Sequence, residues 1–180
     1  MKREIEEFKK LLVLGIKKVE KVLYEISGMD VSVKVVELLT KNFTGMIVEN
    51  SFALVQMIST EKSKNNIYFA MADFEFLKFL SALDKNADLL DEDYLIDSFL
   101  ELGNIIVGNI TSVLAYLLGK EVELHFPTLI TLEKLKNYSP HDDFLSAVLN
   151  FSVKDIDVSG YLLFVIQLDI LRELIEQGGV

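Results

Sequence analysis

The order of periodicities in this sequence runs through twice, and that repetition limits the fold more than any single residue does. Residues 3 to 26 place Ile5, Phe8, Leu11, Leu12, Ile16, Val19, Leu23 and Ile26 at helical spacing and close at Gly28, which predicts a long amphipathic helix. Strand-like runs follow: "DVSVKVVEL" from Asp30, then "FTGMIVE", "SFALVQMIS" and "NNIYFAMA". "DFEFLKFLSAL" predicts a shorter helix. "DEDYLIDSFLELGNIIVGNITSVLAYLLG" predicts a second long one, whose acidic first turn suits the positive end of the helix dipole. After Gly119, "KEVELHFPTLITL", "DFLSAVLNFSV" and "GYLLFVIQL" read as strands, and "DILRELIEQ" as a terminal helix before Gly178 and Gly179.

Sliding the sequence along itself by 91 positions sets the segment from Gly28 to Val33 on that from Gly119 to Leu124. A slide of 94 sets Ile67-Tyr68-Phe69 on Tyr161-Leu162-Leu163 and Leu77-Lys78 on Leu171-Arg172. The identities are few, but the order of elements is shared. No proline- or glycine-rich linker divides the halves. The expectation is therefore one domain over residues 1–180, with approximate halves 1–90 and 91–180. Its class is α+β, two long helices packed on an antiparallel sheet. A hydrophobic content of 51% over 180 residues can fill one such core.

Charge and composition remove several classes of function. A net charge of -10 argues against nucleic acid, whose backbone demands a basic patch. Without cysteine there is no disulfide framework, thiol nucleophile or thiolate metal site. The charged start "MKREIEEFKK" has no signal-peptide core behind it, so a cytoplasmic location is expected. Leu102 to Gly119 is an 18-residue stretch without a charge, long enough to suggest a membrane span. Its asparagines, serine and threonine, and the charged helix upstream, favour a helix on a protein core instead, with no membrane insertion.

Within that helix, "DSFLELGNIIVGN" (residues 97–109) holds two glycines and two asparagines, each of which weakens a helix. A glycine there costs roughly 1 kcal/mol relative to alanine. Asp97, Glu101, Asn104 and Gly108 stand at i, i+4, i+7 and i+11, on one face. Phe99, Leu102, Ile105, Ile106, Val113 and Leu117 would bury against the sheet and leave the stripe facing outward. A carboxylate can pair with a lysine. A carboxamide one turn on can aim a water, and a small residue beyond it admits a partner's backbone. The plainer reading is a solvated helix face, which leaves Asn104 and Gly108 unexplained.

Asp97, three residues, Glu101, two residues, Asn104, 22 residues and Pro127 form a spaced set that resembles the D/S-x3-E-x2-N-x22-P pattern of the CheC, CheX and FliY chemotaxis phosphatases. "ELGNIIVGN" and "LLGKEVELHFPTLI" are similar to that family's passage from this helix into the next strand. The resemblance implies a duplicated α-β-β-β-α fold and, as substrate, the phosphorylated response regulator CheY. It implies that Asn104 orients the attacking water, as a glutamine does in small GTPases, and that Glu101 pairs with the regulator's active-site lysine. Asp97 and Pro127 would support helix-face polarity and strand entry. Magnesium would belong to the regulator, so the chain needs no cofactor or metal of its own. A CheD-like stimulator is a further implied partner; the CheX-like relatives imply a homodimer and the CheC-like relatives do not. In the first half Lys10 and Val13 stand where glutamate and asparagine would be, and Val36 where proline would be, so one site is expected. The rival reading is a non-enzymatic adaptor of the same fold, binding a regulator or a flagellar component.

Other residues carry less. His125 lies in an alternating strand and His141 in a turn beside Asp142 and Asp143, without paired-ligand spacing for a metal. Ser98 has no histidine neighbour and no phosphate-binding glycine loop occurs. The acidic run Asp88, Asp91, Glu92, Asp93, Asp97 and Glu101 either starts a solvated helix or complements a basic partner rim.

Overall fold

In a computed structural model of the chain, the residues described are 1–38, 49–84, 91–139 and 141–177. The elements run α1 (Lys2–Ser27), β1 (Val31–Leu38), β2 (Ser51–Ser59), β3 (Lys64–Ala72), α2 (Asp73–Leu83) and α3 (Glu92–Leu118). They continue with β4 (Glu123–Leu124), β5 (Thr128–Leu129), α4 (Leu132–Lys136), β6 (Phe144–Val153), β7 (Val158–Gln167) and α5 (Leu168–Glu176). The expected strand "FTGMIVE" falls outside the described residues apart from Glu49, as do Asp88, Gly178 and Gly179. Both long helices end where a glycine takes the left-handed conformation, Gly28 at φ 68° and Gly119 at φ 59°. Each donates its backbone N–H back into the last turn. Asp91 caps the start of α3 by accepting from the N–H of Tyr94 at 2.9 Å.

All strand pairings are antiparallel, in the order β1-β6-β7-β3-β2-β4, with β5 also on β2. This order is symmetric about the central β7–β3 pair. The first strand of the first half lies beside β6, and the first strands of the second half lie beside β2. The register agrees with the 94-residue slide, which exchanges the pairs Phe69↔Leu162 and Tyr68↔Leu163.

The helices α1 and α3 cover one face of the sheet. Phe99 of α3 is fully buried, with ring centroids 5.1 Å from Phe69 and 5.3 Å from both Phe52 and Phe76. Such aromatic clusters add to area burial through edge and offset contacts. Gly15 of α1 faces Ile110 of α3 with room for ordinary van der Waals contact, and Lys18 donates to Ser112 Oγ on the same interface. By length and composition Glu92–Leu118 could cross a membrane. Here its apolar side, from Phe99 through Leu114 to Leu118, is part of the protein core.

One expected element is different. "KEVELHFPTLITL" is not a continuous strand but two two-residue strands on β2, followed by α4, which Thr131 caps through Lys134 N–H. Between the pairs Ile58↔Leu124 and Val55↔Thr128, two residues of β2 (Gln56 and Met57) face three (His125, Phe126 and Pro127). That is a β-bulge. Pro127 has no N–H for the ladder, so pairing cannot run through it.

On the opposite face a smaller core gathers Leu135 of α4 with Val148, Leu163, Val165 and the tilted pair Tyr68 and Tyr138, ring centroids 4.8 Å apart. Burial pushes both phenols up, Tyr68 far above the ordinary range, where Tyr138's proximity adds to the shift. Above about pH 10 the unfolded chain releases phenol protons that the folded chain keeps, so stability falls as pH rises. Urea midpoints measured between about pH 8 and 11 should therefore drop more steeply for the wild type than for Tyr68→Phe.

Candidate functional site

The sequence stripe on α3 is not uniform in the fold. Asp97 and Glu101 are exposed, whereas Asn104 and Gly108 are half-buried against β2 and the bulge. Among the six residues expected to bury against the sheet, Phe99, Leu102 and Ile106 are buried, while Ile105, Val113 and Leu117 are only half-buried. The reason is how α3 sits. Gly103 is buried, and a Cβ built there would overlap Leu54 Cδ2. Glycine lets α3 rest directly on β2, and the next residue, Asn104, is thereby lowered onto the strand.

What it meets is Gln56. In β2 the side chains of Leu54, Gln56 and Ile58 point to the same face by strand alternation, and all are fully buried. Gln56 Nε2 donates to Asn104 Oδ1 at 2.7 Å and to the main-chain oxygen of His125 at 2.7 Å. The His125 oxygen is available because the bulge carries it out of the β2 ladder, where only the His125 N–H reaches Met57 O, at 2.9 Å. Pro127 is the last residue of the bulge and stands directly before β5. Gln56 Oε1 is buried and has no hydrogen-bond partner among the described residues. A buried orphan acceptor costs on the order of 1–3 kcal/mol.

Towards the start of α3, Glu101 and Asp97 border a groove of about 500 Å³ with apolar walls that include Leu23, Ile26, Phe76 and Leu80. Neither carboxylate has an ion-pair partner among the described residues. Glu92 and Asp93 are exposed in the first turn of α3, adding negative potential at the same end. On the far side, Phe126 projects from the bulge with 94% of its surface exposed. His125 Nε2 meets Ser59 Oγ at 2.8 Å and lies 3.6 Å from Glu123. His141 is in another element, against Phe144. No group of three or more metal-ligating side chains is found among the described residues.

The matching face of α1 is ordinary. Lys9 pairs with Glu6 at 3.1 Å, Lys10 with Glu7 at 3.0 Å, and Val13 is exposed. The structure thus joins Asn104 to the bulge that holds Pro127 through Gln56, and places Glu101 and Asp97 on the neighbouring groove of α3. The sequence signal for Gln56 was its place: a carboxamide at an inward position between two aliphatic residues.

The family model described as chemotaxis phosphatase CheX matches residues 53–148, which include Gln56, Asp97, Glu101, Asn104 and Pro127. No curated protein matches the sequence. Among solved structures, Thermotoga maritima FliY is similar with a TM-score of 0.68 and 12% identity, covering 96% of this chain and 94% of that one. The middle domain of Vibrio alginolyticus FliM has a TM-score of 0.66 at 10% identity, covering 94% and 98%. CheX from Borrelia burgdorferi, solved in complex with CheY, BeF3 and Mg2+, has a TM-score of 0.60 at 16% identity, covering 87% and 97%. At such identities the structural likeness speaks for the fold, which is shared along nearly the whole of each chain. The family match spans more than half of the sequence and contains every residue of the α3 site and its bulge, so the chain belongs to the chemotaxis phosphatase CheX family.

Proposed function

We propose that this protein is a cytoplasmic phosphatase that hydrolyses the aspartyl phosphate of a CheY-type response regulator. The observation that carries the proposal is the Asn104 carboxamide. Its oxygen is tethered from below by Gln56, and its NH2 group has no partner among the described residues. An amide cannot serve as a base at neutral pH. It can hold a water in line with phosphorus by accepting one of its protons, and its NH2 can donate to a phosphoryl oxygen. The water oxygen then attacks phosphorus as the bond to the regulator's aspartate breaks. The carboxylate leaves with the bonding pair, and the water's protons go to the released phosphate and the solvent. Because an acyl phosphate leaves readily, positioning and charge placement suffice for this reaction class.

Glu101 is assigned to the regulator's lysine, since it is exposed and free of internal ion pairs. Asp97 and the acidic start of α3 add attraction. Phe126 offers an exposed aromatic contact on the bulge, a residue type enriched at interfaces. Magnesium would arrive bound to the regulator. That the Borrelia relative was solved with CheY and Mg2+ supports a partner of this class.

The test is phosphate release from a phosphorylated CheY-type regulator, with and without the protein. Acceleration is expected. Glu101→Ala should weaken binding by on the order of tenfold and flatten its salt dependence, as loss of an interfacial charge does. Titration with a beryllofluoride-charged regulator at two salt concentrations checks this. Tight binding without acceleration would replace the phosphatase by a regulator-binding or flagellar adaptor, a reading with which the fold shared with FliY and FliM is consistent.

A further inference from the structure

We infer that Gln56 is a positioning residue that decides which atom of Asn104 the partner meets; this rests on the proposed function. A carboxamide has two nearly isosteric orientations, and one at the protein surface would interchange its oxygen and its NH2 by a half-turn about the last bond. Here the half-turn is blocked. Rotating Asn104 would set its NH2 against Gln56 Nε2, donor against donor, across 2.7 Å. Rotating Gln56 to relieve this would set its Oε1 against the His125 oxygen, acceptor against acceptor, again across 2.7 Å. The polarity is therefore fixed in sequence, from the main-chain oxygen of the bulge to Gln56 and from Gln56 to Asn104.

The remaining atoms support a role beyond packing. Gln56 is fully buried between Leu54 and Ile58, where an aliphatic side chain would complete the face. Instead it spends both Nε2 hydrogens on acceptors and leaves Oε1 buried without a partner. An amide kept at that cost is accounted for by what it does to its neighbour. With Gln56 holding one lone pair of Asn104 Oδ1, the second stays free to accept from a water, and Nδ2 stays turned to the partner side. Gln56 touches neither water nor phosphate in this arrangement, so its effect falls on turnover and not on docking.

The substitution Gln56→Met keeps length and burial while removing both donors. Three readouts apply: 15N relaxation of the Asn104 side-chain NH2, phosphate release at saturating regulator, and affinity for the beryllofluoride-charged regulator. Expected are a loss of order in the Asn104 amide, at least a tenfold fall in the saturated rate, and an affinity within twofold of wild type. Wild-type order and an unchanged saturated rate in Gln56→Met would overturn the inference. Should Gln56→Met not fold, hydrogen exchange of the wild-type side chain decides. Both Gln56 NH2 hydrogens should exchange far more slowly than those of Asn104, and equal fast exchange would overturn the assignment. A wild type that binds but does not accelerate release would refute the phosphatase reading alone, because amide order and exchange would still report whether Gln56 fixes Asn104.

Discussion

Replacing Asn104 by alanine is expected to lower regulator-stimulated phosphate release by on the order of 10²- to 10³-fold, the range seen when one preorganised polar group facing a transition state is removed. Affinity for a beryllofluoride-charged regulator should change by less than about threefold, because a residue acting in the transition state contributes little to ground-state docking. Asn104→Ala also leaves one hydrogen of Gln56 Nε2 unpaired in a buried place, so a stability loss of about 1 kcal/mol accompanies it. Asn104→Asp separates the two effects. Its carboxylate still accepts from Gln56, and stability is largely kept, but it places negative charge where a phosphoryl group must sit. It is expected to be at least as inactive as the alanine variant. A rate within threefold of wild type for both would remove Asn104 from the reaction.

The second large effect is on stability. Gly103→Val should destabilise the protein by on the order of 3 kcal/mol, the upper range for forcing atoms into a filled core. Leu54 is fully buried, with Cδ2 overlapping the built Cβ and Cδ1 at 3.2 Å and Cγ at 3.3 Å from it, so turning one methyl aside does not clear the clash. For a chain of this size that corresponds to a fall in Tm of roughly 6–12 °C. Calorimetry of the variant checks the figure. Gly108 provides the contrast. A Cβ there meets only Leu124 Cδ2, at 3.4 Å, so Gly108→Ala should stabilise by about 0.5–1 kcal/mol through helix propensity. If a partner's backbone passes over Gly108, the same variant binds the regulator less well while melting higher. The two helix-weakening glycines thus have different explanations, one inside the protein and one on its face.

Much of this was legible in the sequence where periodicity was long. The first helix was expected over residues 3 to 26 and spans Lys2–Ser27; β2, expected as "SFALVQMIS", spans Ser51–Ser59. Of the set Asp97, Glu101, Asn104 and Pro127, the first two line the groove beside Phe76 and Leu80, while Asn104 lies over Gln56, which also bonds the bulge that holds Pro127. What escaped the sequence depends on a partner strand. The break in "KEVELHFPTLITL" is set by register against β2, and neither Pro127 nor the alternation shows where the extra residue will be accommodated. The half-burial of Asn104 follows from the contact of Gly103 with Leu54, a pair 49 positions apart in sequence. A helical wheel sees a stripe as outward if it is polar, and cannot see that its middle rests on another amide.

The strand order has a consequence for how such a chain can change over time. The half that carries Lys10 and Val13 on its long helix also supplies β2, and with it Leu54 and Gln56, to the centre on the other half. Its own first strand is in turn completed by β6. Neither half can be trimmed or exchanged as a module without unpairing the other. The first half is therefore indispensable to the second as the floor beneath Asn104. The same interleaving makes assembly depend on pairings between distant segments, such as Val31 with Val153, before either half can be consolidated. The chain should accordingly fold more slowly than a helical bundle of its length, since such pairings must close long loops first.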